Sequence, residues 1–181
     1  QVKVHSPKDI IKEGVALITE DRKVTGLNLS GSVNDNIAMV AIKKLLSHGL
    51  YNKNKARAAS MEYIKKLNIK TPSGDQITGN LSGGNQQKIV IAKWLLNDPD
   101  IIILDEPTRG IDVGAKRDIY LLLGKLVQQG KAVIMISSEI PELMGVCDRI
   151  MVMCEGNLSG EVQRDAFSQE RIMTLASAIE V

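Results

Sequence analysis

Apolar positions along the chain follow two rhythms. Short continuous apolar runs, "GVALIT" (14–19), "IIILD" (101–105), "AVIMIS" (132–137) and "RIMVMC" (149–154), read as strands. Between them, apolar residues recur every three or four positions and read as helices. The first helix is predicted over 33–48, with Val33, Ile37, Val40, Lys44 and Leu45 along one side and Ala41 and Leu46 adding apolar surface. A second spans 54–67, with Ala58, Met61 and Leu67 on its inner face, and a third runs from Gly84 to about Asn97. A fourth covers "GIDVGAKRDIYLLLGKLVQQG", where Ile119, Leu122, Leu123, Leu126 and Val127 form the stripe, Asp112 caps the start and Gly130 sits at the stop. "EIPELMGVC" is a short helix, "EGN" a turn, "LSGEVQ" a last strand or edge, and 168–178 a closing helix. Strands buried on both faces and alternating with helices imply an α/β fold with a mainly parallel sheet. Residues 32–98 interrupt it as an all-helical insert.

Composition changes this picture little. The 181 residues suffice for one domain with a real core, and only 3% are aromatic, so that core is aliphatic. A net charge of +2 gives no general nucleic-acid or membrane signal. Between 43 and 66, seven basic residues face one acid, Glu62, but only Tyr51 and Tyr63 accompany them, so a solvated helical face fits better than a nucleic-acid patch. No apolar run approaches the roughly 18 residues of a membrane span. "QVKVHSPKD" is too polar for a secretory signal, and an opening without methionine suggests a piece of a longer chain. Cys147 and Cys154 match no metal or redox spacing and are expected as reduced, partly buried thiols; His5 and His48 are expected at the surface.

Two segments carry candidate chemistry. In "LSGGNQQK" (81–88), Gly83 and Gly84 open a helix, although glycine inside a helix costs about 1 kcal/mol relative to alanine. Bare N–H groups at a positive helix end suit a phosphate, and Ser82 adds a hydroxyl. In "IIILDEPTRGID", an apolar strand delivers Asp105 and Glu106 at its carboxyl end, the edge where open α/β sheets bind ligands. Asp105 is suited to hold Mg²⁺ beside nucleotide phosphates, and Glu106 to polarise an attacking water.

Taken together, "LSGGNQQK", "LDEPTRGID" and "ISSE" resemble the ATP-binding-cassette (ABC) family of ATPases, over nearly the whole chain. "TEDRK", "IKTPS", "DEPTRGIDVGAK", "SSEIPEL" and "DRIMVM" are most similar to the second, carboxyl-terminal cassette of bacterial monosaccharide importers of the ribose and galactose type. The resemblance implies a P-loop NTPase-like fold in three parts. Residues 1–31 would hold the end of the preceding core strands and the Q-loop, 32–98 the helical subdomain ending in the signature helix, and 99–181 the Walker B, D-loop, switch and carboxyl-terminal parts. It implies ATP and Mg²⁺ as cofactors. Asp105, Glu106 and Ser138 would be the catalytic positions. Ser82, Gly83, Gly84, Asn85, Gln86, Glu20 and Asp112 would be the nucleotide-binding ones, with Asp105 and Glu20 at the metal. It also implies a second cassette, transmembrane permease subunits and, indirectly, a periplasmic or extracellular sugar-binding protein as partners. No nucleic acid is among them, and the place is the cytoplasmic face of the bacterial inner membrane.

The sequence departs from the family at three points. The phosphate loop G-x-x-x-x-G-K-[ST] is absent: "GNLSGGNQ" has its glycine spacing, but Asn85-Gln86 stands where Lys-Ser/Thr belongs and no strand precedes it, so the loop is expected upstream of residue 1 and this chain alone is expected to bind ATP weakly or not at all. Ser138 replaces the switch histidine and Glu20 the Q-loop glutamine. Hence the expected division of labour: the intact signature serves the partner cassette's ATP, while this cassette's own site turns over slowly. A nucleoside importer, a non-transport cassette on DNA or the ribosome, and a regulatory nucleotide-binding module are the alternatives. The long coiled-coil arms or basic linker expected of the DNA and ribosome proteins are not present in the sequence.

Overall fold

The computed structural model describes residues 4–177. The opening residues 1–3 and the last expected helical position, Ala178, lie outside the described residues. Helix α1 (Pro7–Lys12) precedes strand β1 (Val15–Ile18), and a single π-helical turn, Arg22–Gly26, leads to α2 (Val33–Ala38). Strands β2 (Leu46–Ser47) and β3 (Leu50–Tyr51) are two residues each and precede α3 (Lys53–Lys66). Then come α4 (Gly83–Leu95), β4 (Ile101–Asp105), α5 (Val113–Gln128) and β5 (Ala132–Ile136). The described residues form two compact units that divide after Ile136.

In the first unit, β1, β4 and β5 form a parallel sheet in the order β1-β4-β5. Ile18 pairs with Leu104, and Leu104 with Met135. Period-2 alternation buries Ala16, Ile18, Ile102 and Leu104, and the last three pack with Ile89 and Ile91 of α4 and Ile119, Leu123 and Leu126 of α5. The opposite face corrects the expectation of burial on both sides. Leu17, Ile134 and Ile136 are each about half exposed.

The insert also departs from the predicted pattern. The expected helix over 33–48 stops at Ala38, and residues 42–45 form a 3₁₀ turn instead. His48 and Gly49 both take positive φ, 50° and 81°, which gives the two-residue hairpin turn that joins β2 to β3. The chain doubles back so that Leu45 packs with Ala38 and Ala56. The insert therefore joins its helices with this small hairpin and with an irregular segment, 68–77, that is bridged back to Ser32 at Ile77. On α3 the buried residues are Ala56, Ser60 and Ile64, four apart, followed by Leu67. Ala58 and Met61, expected inside, face solvent. The expected helices over residues 84–97 and 112–130 form as α4 and α5.

Helix α4 is the axis of this unit. Ile89, Val90, Ile91 and Ala92 are all at most 1% exposed, so it is apolar around its whole middle rather than on one stripe. Two lysines are carried into that environment. The Lys88 ammonium bonds Asp118 Oδ2 at 2.7 Å and the Asn68 carbonyl at 3.2 Å. That bond holds Asp118 below the usual carboxylate range. Lys93 donates to the Gly26 carbonyl, and burial pushes its ammonium below the ordinary lysine value.

The second unit contains α6 (Ile140–Val146), the antiparallel strands β6 (Arg149–Cys154) and β7 (Asn157–Gln163), and α7 (Gln169–Ala176). Its core is Ile150, Val152, Val162 and Ile172. Cys147 and Cys154 are free and half-buried, and desolvation raises the Cys147 thiol above its ordinary value.

Candidate functional site

Strand β4 ends at Asp105, which is half-buried at the carboxyl edge of the sheet. The chain turns sharply there. Glu106 has φ 44°, in the left-handed region; its N–H donates to the Ile136 carbonyl at 2.9 Å, and its own carbonyl accepts from Arg109 N–H at 3.2 Å. Pro107 and Thr108 are buried, which anchors the turn and leaves the two acids at its mouth. Because Ile18 is level with Leu104, β1 ends at the same edge, and Glu20 leaves it nearby. Asp21 shapes that exit. Its carboxylate accepts from Lys23 and Val24 N–H at 2.9 and 3.1 Å, which winds the π turn.

The glycine pair at the start of α4 has a physical reason beyond bare backbone. A Cβ on Gly84 would lie 2.5 Å from Ala115 Cβ, so this buried glycine lets α4 and the first turn of α5 meet. A Cβ on Gly83 would lie 2.6 Å from the Arg22 guanidinium. Ser82 stands at the N-cap, exposed, without capping an N–H itself. Asn85 holds its hydroxyl at 2.9 Å and accepts from Lys70 N–H at 2.8 Å, so Asn85 is a brace for Ser82. Gln86 is buried, and its amide donates to the carbonyls of Thr78 and Leu81, which fixes the loop entering α4. Asp112 caps α5 by accepting from Ala115 N–H at 2.9 Å, as its position predicts.

Glu20 pairs with the Arg109 guanidinium, so its carboxylate already faces a cation. Among the described residues, no group of three or more His, Cys, Asp or Glu is arranged to hold a metal. A single strand-end aspartate nevertheless fits Mg²⁺, which uses one or two carboxylates and fills its shell with phosphate oxygens and waters. Ser138 belongs to the second unit, exposed just before α6. Its neighbour Ser137 bonds Glu142 and accepts from Glu139 N–H at 3.1 Å.

Sequence reasoning missed the buried polar hub behind the site. Asn36 is fully buried; its amide oxygen accepts from Asn28 N–H at 2.8 Å, and its amide nitrogen reaches the Asn28 and Ser32 carbonyls and Thr78 Oγ1 at 2.9, 2.9 and 3.1 Å. The available signal was a polar residue three positions after Val33 and beside Ile37 on an apolar face. The Arg22–Arg109–Glu20 contacts carry no local signal, since the partners lie more than 80 positions apart.

This geometry has relatives. A family profile described as "ABC transporter" matches residues 6–109. A ribose import ATP-binding protein, RbsA, of Clostridium tetani is 53% identical over 98% of this chain and 35% of its own length. A putative ribose/galactose/methyl galactoside import ATP-binding protein of Halalkalibacterium halodurans is 49% identical over 98% of the chain and 34% of its own. The chain thus spans about a third of the length of these curated relatives. The fold is shared with a dimeric, post-hydrolysis state of the ATP-binding cassette MJ0796 bound to ADP and Pi, at TM-score 0.74 and 23% identity, over 91% of this chain and 69% of that one. Among the described residues, no helix is long and apolar enough to cross a membrane. With an apolar strand ending in Asp105-Glu106, a serine-glycine helix start and relatives of this identity, the chain belongs to the ABC transporter family of ATPases.

Proposed function

We propose that this chain is the larger part of a carboxyl-terminal ATP-binding cassette in a bacterial monosaccharide importer, working at the cytoplasmic face of the inner membrane. Its partners are a second cassette, permease subunits and, through them, a sugar-binding protein. The open end of α4 carries this reading: Ser82 is exposed at the N-cap with its hydroxyl braced by Asn85, ready for a phosphate brought by another cassette. Gly83 and Gly84 bring the first-turn N–H groups to the same anion, Gln86 fixes the loop behind them, and Asp112 holds the first turn of α5 against Gly84.

At this cassette's own edge, Asp105 is assigned to Mg²⁺, and Glu106 to orienting the water that attacks the terminal phosphate. When bound, the ion neutralises charge on the phosphate oxygens. Ser138 takes the switch position with a neutral hydroxyl, and Glu20 is committed to Arg109. Both features favour slow turnover here and signature donation to the partner.

The test is ATPase activity of the complete two-cassette polypeptide with its permease. Loss in Ser82→Arg with little change in Glu106→Gln supports signature donation. Equal loss in both means two working sites. Full activity in Ser82→Arg refutes the assignment.

A further inference from the structure

The chemistry proposed above gives Arg22 no role and Arg109 only that of a partner for Glu20, yet together they span the site. Arg22 leaves the β1 exit, and its guanidinium donates to the Arg109 carbonyl at 3.2 Å, across 87 positions of sequence. The same guanidinium fills the space that a side chain on Gly83 would take. Its Nε is buried without a hydrogen-bond partner among the described residues. A buried donor left unmade costs stability, so the side chain is not placed there for stability alone. Arg109 sits three residues after Glu106, on the turn closed by its own N–H, and pairs with Glu20. Both partners of that pair are substantially exposed, at 69% and 45%, so solvent screens it and it adds little to stability. What the contacts do supply is spacing. Three carboxylates, Glu20, Asp105 and Glu106, leave the same sheet edge, and Arg109 pairs with Glu20 there.

We propose that Arg22 and Arg109 are positioning residues that tie the first turn of α4 to the sheet edge bearing Asp105 and Glu106, with Glu20 as the counter-charge that holds Arg109. The tie keeps the signature serine and the two acids at a fixed separation. It also gives Gly83 a specific reason, because any side chain there displaces the Arg22 guanidinium from Arg109. This inference rests on the cassette reading above for its effect on turnover, but the tie itself is a property of the unliganded chain.

The experiment uses the complete polypeptide with its permease. Variants are Arg109→Ala, Glu20→Gln, their double, the exchanged pair Glu20→Arg with Arg109→Glu, and Arg22→Ala with and without Gly83→Ala. Readouts are kcat and KM for ATP, affinity for a fluorescent N-methylanthraniloyl ATP, and hydrogen exchange without nucleotide. Arg109→Ala and Glu20→Gln should each lower kcat by about tenfold or more, because the turnover read is that of the partner's site, where the Ser82 offered to its phosphate is misplaced, and the slow site of this cassette adds little to it. KM and analogue affinity should stay within about twofold. The double should be no worse than either single and the exchanged pair should regain turnover; in hydrogen exchange over residues 20–26, Gly83→Ala should add nothing to Arg22→Ala. Exchange over residues 20–26 should accelerate in Arg109→Ala while β4 is unchanged.

Additive losses, an exchanged pair as poor as the singles, or exchange and kcat like wild type would each overturn the tie. Failure of the wild type to hydrolyse ATP would count against the cassette reading, and hydrogen exchange would still decide the tie.

Discussion

Replacing Gly84 by alanine sets two opposed terms against each other. Alanine is favoured over glycine in a helix by about 1 kcal/mol. Against that, the new Cβ would sit 2.5 Å from Ala115 Cβ, with both atoms fixed to helix backbones and no rotamer to relieve them. An ordinary carbon contact is about 3.5–4.0 Å, so α4 and α5 must separate by about 1.0–1.5 Å. Overpacking of this kind costs about 1–3 kcal/mol. The net expectation is destabilisation by about 0–2 kcal/mol, with a fall in Tm of up to roughly 8 °C for a chain of this size. The assay is urea unfolding of the wild type, Gly84→Ala, Ala115→Gly and the double. In the Ala115→Gly background the clash is gone, and Gly84→Ala should become neutral or stabilising. The coupling between the two sites should then be the clash itself, about 1–3 kcal/mol. If Gly84→Ala stabilises equally in both backgrounds, close packing is not why that glycine is there.

Other expectations follow from buried polar groups. Asn36→Ala strips partners from Asn28 N–H, two carbonyls and Thr78 Oγ1, and should cost about 2–4 kcal/mol by denaturant unfolding; a loss under about 1 kcal/mol would refute its role as a hub. Lys93 has its folded-state value lowered by burial from the ordinary 10.5, so the unfolded chain binds more protons between those values, and stability from this group rises with pH through that window. Lys93→Met should remove the rise; Tyr63, which burial raises from 10.0, works in the opposite direction and cancels in the comparison. Identical pH profiles for wild type and Lys93→Met would refute the assignment. Asp118→Asn should cost about 1 kcal/mol rather than the 3–5 of a fully buried pair, because its side chain is 48% exposed. Asp118 is held below 3.8, so its stabilisation is present above that pH and lost as pH falls through the folded value. A wild-type-minus-mutant difference that does not shrink in acid would count against it.

The sequence by itself determined the strands that end at Asp105 and Ile136, the cap at Asp112, the stop at Gly130 and the serine-glycine start of α4. Each depends on local chemistry: apolar runs with β-branched residues, a side chain capping its own helix, a backbone with positive φ at Gly130. The same local logic marked Asp105, Glu106 and Ser82. Only the tertiary structure decided the rest. Residues 39–51 turn back as a hairpin because Leu45 finds Ala38 and Ala56, a packing that helical periodicity cannot foresee. The inner face of α3 is set by what lies beneath Ser60, whose hydroxyl meets the Asn34 carbonyl at 3.3 Å. Gly84 is small because of Ala115, 31 positions later, and Glu20 is neutralised by Arg109, 89 positions away. Such contacts follow from how the sheet and α4 bring distant segments to one edge, and no window of sequence contains both partners.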